Sequence, residues 1–227
     1  MLNKKIIGVC GVARVGKNLF AEILIKQLKE KYNLIGKQFS LAYELKYDCK
    51  DFIQDKLGLN VFSESTEDKN AFREMLVWYG DVMRKRTLGK YWTDKLYSKI
   101  ESDQSNFDVA IITDIRYDFY EGDEIDWVKN QLNGVVIHIS KYTYGFPTDG
   151  RIVNIKGKTN YQKIYTSPAN SHETLNDPKL KKKADYLLEW EDVNYLQNLP
   201  YQTLIDNEYL NNTVITCLDQ LKSRIIQ

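Results

Sequence analysis

The sequence predicts an α/β fold of three layers, a central five-stranded parallel sheet flanked by helices. Two observations carry that expectation. First, five short, mostly apolar runs are separated by stretches of helical periodicity: Lys5–Cys10, Gln38–Ala42, Val109–Ile115, Val135–Ser140 and, more weakly patterned, Ala184–Glu189. Strands alternating with helices bury both faces of a parallel sheet. Second, the glycine-rich stretch Gly11-Val12-Ala13-Arg14-Val15-Gly16-Lys17 directly follows the first apolar run and precedes a helical pattern.

The helices follow in order. Phe20, Ile23, Leu24 and Leu28 share one face of the first. A second runs from near Tyr43 to Leu57 and stops before Gly58. A third runs from about Thr66 to Lys85, with Phe72, Leu76, Tyr79 and Met83 as its buried stripe. Trp92, Leu96 and Ile100 mark a fourth, Glu124 to Leu132 a fifth, and Asn212 to Ile226 the last. Residues 141–171 break the pattern with Gly145, Pro147, Gly150, Gly157 and Pro168. Long loops of this kind are usually lids or disordered segments, so a lid insertion is expected, with a short hairpin as the alternative. Residues 1–227 are read as one domain carrying that insertion. The basic run from Lys179 to Lys183 reads as a solvated helix end.

Composition narrows the function classes. With 43% hydrophobic and 28% charged residues and four prolines, the chain is an ordinary globular one. A net charge of +1 gives no basic field, so no nucleic-acid partner is expected. No stretch approaches the ~20 apolar residues that span a bilayer, and Gly8 and Gly11 interrupt the first apolar run, so no membrane association is expected. Cys10, Cys49 and Cys217 form no Cys-x-x-Cys pair, and His138 and His172 are the only histidines. A zinc site is therefore not expected, and a reducing, cytoplasmic setting is. A homodimer is compatible with the sequence, which does not fix the oligomeric state.

The chemistry concentrates at the carboxyl ends of the strands, where ligands of such sheets bind. Strand, glycine-rich loop and lysine-led helix together read as a phosphate-binding loop. Gly11, Val12, Ala13, Arg14, Val15, Gly16, Lys17 and Asn18 would cradle a triphosphate with backbone N–H groups at a helix N-terminus. Lys17 would reach the terminal phosphates and Arg14 would add a second cation. Asn18 stands where a magnesium-binding Ser or Thr is expected. Asp114 ends the third strand as a candidate magnesium residue, and Arg116 could grip a second phosphate group. A strand-end pair that merely caps a turn is the competing reading.

On the third helix, Gly80 and Arg84 each lie within about 20° of Arg73 on a helical wheel. With Asp81 beside them they could form an anion cradle, or a solvated charged flank. Lys46 could reach phosphate from the sheet edge, although a surface lysine is the default. Trp78, Tyr79 and Trp92 could stack on a base, although such aromatics are more often core. Arg151, Lys156 and Lys158 could close over phosphates as lid cations.

These motifs, in this order, resemble phage-type deoxynucleoside monophosphate kinases. The resemblance spans roughly residues 5 to 190. It rests on Gly11 to Asn18, Ala42-Tyr43-Glu44-Leu45-Lys46, Arg73 to Asp81, Tyr91-Trp92, Thr113-Asp114-Ile115-Arg116 and Val135 to Ile139. That family typically carries Asp after the loop lysine, so Asn18 is a near match. His172 and Glu173 resemble a His and Glu that follow its fourth strand. Departures are Glu44 in place of a proline, Trp78-Tyr79-Gly80 in place of a glycine-rich turn, and a longer insert. Animal-type phosphomevalonate kinase is also similar.

The resemblance implies a P-loop kinase fold and transfer of the γ-phosphoryl group of ATP, with Mg2+, to a deoxynucleoside monophosphate. Lys17, Arg14 and Arg116 would be the catalytic residues. Lys46, Arg73, Asp81, Arg84, Trp92 and Arg116 would bind the acceptor, and Asn18 and Asp114 would serve magnesium. A non-catalytic nucleotide-binding regulator is the alternative from another class, but the Asn-Lys-x-Asp motif of guanine-specific switches is absent.

Overall fold

Parallel pairing in the order β2-β3-β1-β4-β8 organises the chain, as a computed structural model describes it over residues 4–145, 154–155, 158–159, 162–194 and 197–225. The strands are β1 (Lys5–Cys10), β2 (Gly36–Ser40), β3 (Val109–Ile115), β4 (Val135–Gly145) and β8 (Tyr186–Glu191). Helices α1 (Lys17–Tyr32), α2 (Leu41–Leu57), α3 (Thr66–Arg86), α4 (Lys90–Asp103), α6 (Ser171–Lys183), α7 (Tyr201–Ile205) and α8 (Glu208–Ile225) accompany them. A short α5 (Glu124–Asp126) continues as a π-helical turn over Trp127–Gln131.

Alternation along the strands sets the layers. Ile7, Val9, Ile111, Ile137 and Ile139 face a core shared with Phe20 and Leu24 of α1 and Val214 and Leu218 of α8. Their neighbours Ile6, Cys10, Ala110, Ile112 and Val136 face the other side, against Phe39, Trp92, Leu96, Ile100 and Trp127. A third cluster joins Cys49 and Ile53 of α2 to Phe72 and Leu76 of α3. The expected stripe of α3 is thus buried, with Tyr79 and Met83 packed beside it.

Several boundaries differ from the sequence expectation for local reasons. β2 ends at Ser40 because its hydroxyl accepts the Tyr43 N–H at 3.2 Å, which turns Leu41 and Ala42 into the first turn of α2. β8 starts late because the Asp185 carboxylate accepts the Val136 N–H at 2.8 Å and fixes the entry to the strand. The fifth helix is mostly π-helical, with the Leu132 N–H donating to the Trp127 carbonyl at 3.0 Å. α6 was not expected beyond its basic end; Asn170 caps it by accepting the Glu173 N–H at 3.0 Å.

The expected excursion at 141–171 is partly sheet. β4 runs on to Gly145, and β7 (Gln162–Tyr165) pairs antiparallel with that extension. β5 (Asn154–Ile155) and β6 (Lys158–Thr159) form a separate two-stranded hairpin. Arg151 and Lys156 lie outside the described residues, and of Lys158 only the backbone, on β6, is described. Among the described residues no helix is long and apolar enough to cross a membrane.

Ile111 is fully buried in β3, whereas Trp78 on α3 is 65% exposed. Ile111→Ala is expected to cost about 2–5 kcal/mol. Trp78→Ala should stay within about 0.5 kcal/mol. Urea unfolding midpoints at constant m-value check both.

Candidate functional site

The loop between β1 and α1 is shaped by three residues of positive φ, Gly11 (131°), Arg14 (66°) and Gly16 (91°). At two of them a side chain has no room. A Cβ on Gly11 would fall 2.4 Å from the Ile139 carbonyl oxygen, and one on Gly16 would fall 2.7 Å from Cζ2 of Trp190. Gly16 caps α1 without any side-chain acceptor, and the first turn of α1 carries no acidic residue. The free N–H groups at this helix start suit an anion. Trp190, at the end of β8, braces the loop from behind by donating its indole Nε1–H to the Val15 carbonyl at 2.8 Å.

Lys17 is buried inside the loop, with Nζ donating to the Gly11 and Val12 carbonyls at 2.9 Å each. Burial and, next, Arg116 pull its proton affinity below the ordinary lysine value, while Asp114 and Glu173 oppose the shift. The four groups therefore share one charged neighbourhood. Asp114 sits at the end of β3 with φ of 67° and accepts from Ser40 Oγ at 2.7 Å. Arg116 reaches Asp114 through Nη2 and Glu173 through Nη1, both at 3.5 Å. These contacts are long, and its side chain is 39% exposed, so the guanidinium keeps donors for a further anion. Glu173 also accepts the Ala13 N–H of the loop at 3.1 and 3.2 Å and the Ala169 N–H at 2.8 Å. It thus ties the loop, the end of the insert and Arg116 together.

A cavity of about 950 Å3 opens along this loop. Residues 13–19, Asp114 and Arg116 line it on one side, and Trp190, residues 191–194 and Tyr201 on the other. An ion pair of Lys141 with Asp192 at 2.7 Å joins two of its wall residues. Sequence reasoning assigned nothing to the stretch after β8. The signal available was its place after a parallel strand, where such sheets bind ligands.

Asn18 is exposed, and its amide oxygen accepts from Gln38 Nε2 at 3.1 Å; Gln38 also donates to Thr113 at 3.2 Å. Among the described residues no group of three or more His, Cys, Asp or Glu could hold a metal ion. One carboxylate, Asp114, and one amide oxygen, that of Asn18, fit a magnesium ion that keeps its waters and arrives on phosphate oxygens. They do not make a dedicated protein cage.

The expected acceptor side is corrected at three positions. Arg84 is buried, not facing a ligand: it donates to Asp123 at 2.7 Å and to Glu124, and its Cζ lies 3.7 Å from the Tyr117 ring centroid. Two carboxylates have claimed the charge that a substrate phosphate would need. Gly80 faces Leu45 of α2 instead of an anion, and its carbonyl accepts the Trp92 indole N–H at 3.2 Å. Trp92 is accordingly core, packed edge-on to Tyr79 and Tyr91, and has no face free to stack on a base. Asp81 approaches His172 Nε2 at 3.8 Å, and the His172 ring packs edge-on to Tyr117. Arg73 is exposed on α3. Lys46 lies 5.8 Å from the Phe62 ring; Glu64 of the cavity wall is held below its ordinary value by Lys69 and, more weakly, by Lys46.

No family model matches the chain, and no curated protein matches it. Among solved structures, shikimate kinase from Acinetobacter baumannii in complex with shikimate is similar at 10% identity. Its TM-score is 0.39, over 100% of this chain and 97% of that one. So loose a likeness carries no argument about activity.

Gly16→Ala should be costly because strain and collision add, at about 1–3 kcal/mol for the strain alone. Gly58→Ala is the control: it shares the positive φ, but nothing lies within 4 Å of a Cβ there, so about 1 kcal/mol is expected. Urea titration of both variants, with binding of a non-hydrolysable ATP analogue to Gly16→Ala, reads the difference. Equal costs would show that Trp190 does not press on the loop.

Proposed function

We propose that this chain is an ATP-dependent phosphotransferase of the P-loop kinase kind, passing the γ-phosphoryl group to a small anionic acceptor, a deoxynucleoside monophosphate. The observation that carries the reading is the gathering of Lys17, Asp114, Arg116 and Glu173 around an uncapped helix start that opens on the cavity. The order of motifs resembling deoxynucleoside monophosphate kinases supports the choice of acceptor.

In this reading Lys17 leaves the Gly11 and Val12 carbonyls and turns its Nζ onto the β- and γ-phosphates. Leaving is favourable because the burial that depresses its proton affinity is then offset by full negative charges. Arg14 and Arg116 neutralise charge on the transferring group. Magnesium, held by Asp114 and the Asn18 amide oxygen, would supply further neutralisation of the phosphate oxygens. Lys46, Arg73 and Asp81 serve the acceptor. No general base is needed, because the acceptor phosphate is already an anion. Catalysis is then positioning and electrostatics.

The burial of Trp92 favours a second reading. Without that aromatic to stack on a base, a small phosphorylated acceptor that lacks one, such as phosphomevalonate, fits as well. ADP release measured with each deoxynucleoside monophosphate and with phosphomevalonate separates the two. Turnover with phosphomevalonate alone would hand the assignment to the second reading, and turnover with neither would count against both. Lys17→Ala is expected to lower kcat by about 100-fold or more and to weaken ATP binding. Unchanged kinetics would remove the loop from the mechanism.

A further inference from the structure

Arg84 and two carboxylates form a charged cluster with almost no access to water. The arginine side chain is 6% exposed, Asp123 0% and Glu124 2%. Burying such groups is costly unless their hydrogen-bonding capacity is filled. Here the carboxylates fill it with the backbone that follows β3. Glu124 Oε2 accepts the Arg116 N–H at 2.6 Å and the Tyr117 N–H at 3.0 Å, while its Oε1 takes the Arg84 guanidinium. Asp123 Oδ2 accepts the Phe119 N–H at 3.0 Å, and its Oδ1 takes the other arm of Arg84. The guanidinium is roofed by the Tyr117 ring. A residue of α3 therefore fixes two carboxylates, and these fix the turn that carries Arg116.

We propose that Arg84 and Glu124 are positioning residues, which hold the backbone at 116–117 so that the Arg116 guanidinium faces the phosphate loop. Among the described residues, the Arg116 side chain is oriented by two contacts of 3.5 Å. Its direction is therefore set mainly by the backbone it leaves from. A displacement of about 1 Å at a reacting group can cost about 100-fold in rate. What Arg116 then does rests on the phosphotransferase reading; the anchoring itself does not.

Two variants break the anchor while keeping bulk. Arg84→Lys keeps the charge but cannot fork between two carboxylates. Glu124→Gln has a single oxygen, which can serve either Arg84 or the backbone N–H groups but not both. Amide hydrogen exchange at Arg116 and Tyr117 is expected to quicken by about 10-fold or more in each, with Ile7 and Ile111 unchanged. Unchanged exchange at 116 and 117, or an equal rise in the core strands, overturns the anchoring. In kinetics, kcat should fall by about 10-fold with KM for ATP held within about twofold. In an Arg116→Ala background, Arg84→Lys should add less than about twofold. Full multiplication of the two losses overturns the claim that Arg84 acts through Arg116. A wild-type protein that phosphorylates no acceptor, with the exchange result intact, counts against the phosphotransferase reading and leaves the anchor standing. Should Arg84→Lys fail to fold, Glu124→Gln supports the same measurements.

Discussion

The contact of Trp190 with the glycine-rich loop is the interaction on which the rest of the site depends. Residues 175 positions apart meet when the indole N–H donates to the Val15 carbonyl and the ring closes against Gly16. The loop turns through left-handed backbone, and its buried carbonyls need partners. Trp190 satisfies one carbonyl and Lys17 two others. Trp190 can stand there only because β8 pairs parallel with β4, which itself lies beside β1. The last strand of the sheet thereby completes the loop that follows the first.

Charge balance is the second constraint. Lys17 and Arg116 stand near one another, so each raises the cost of the other's positive charge. Asp114 and Glu173 offset the repulsion. Glu173 does so while accepting N–H groups from the loop and from the end of the insert, so its position couples the insert to the loop. Behind this neighbourhood, burial pushes the Glu124 carboxyl up and Arg84 pulls it down. A charge placed there without its partner would be expensive, which keeps the cluster together as a unit.

Much of the fold was legible because it rests on short-range pattern. Short apolar runs in Ile6 to Cys10 and Val109 to Ile112 marked strands buried on both faces, and the Phe72, Leu76, Tyr79 stripe marked the inner side of α3. The loop itself was legible because positive φ leaves glycine little competition at Gly11 and Gly16. The extension of β4 and its pairing with β7 were not. Lys141, Thr143 and Gly145 break the apolar run; pairing with β8 stops at Tyr142, and beyond it the partner strand at 162–165 keeps the extension a strand.

The sequence by itself determined the approximate places of the parallel strands and of the longer helices before and after them, that a lysine-led helix begins at a glycine-rich turn, and that Asp114 and Arg116 emerge at a strand's carboxyl end. The tertiary structure alone decided which cations remain free. Periodicity placed Arg73 and Arg84 on one face of α3, yet one is exposed and the other is locked between Asp123 and Glu124. It likewise decided that Trp92 is core and that Trp190 belongs to the site. Periodicity says which residues share a face of an element. What that face meets depends on chain brought in from far along the sequence, and the free energy of a buried charge or ring is set by that meeting.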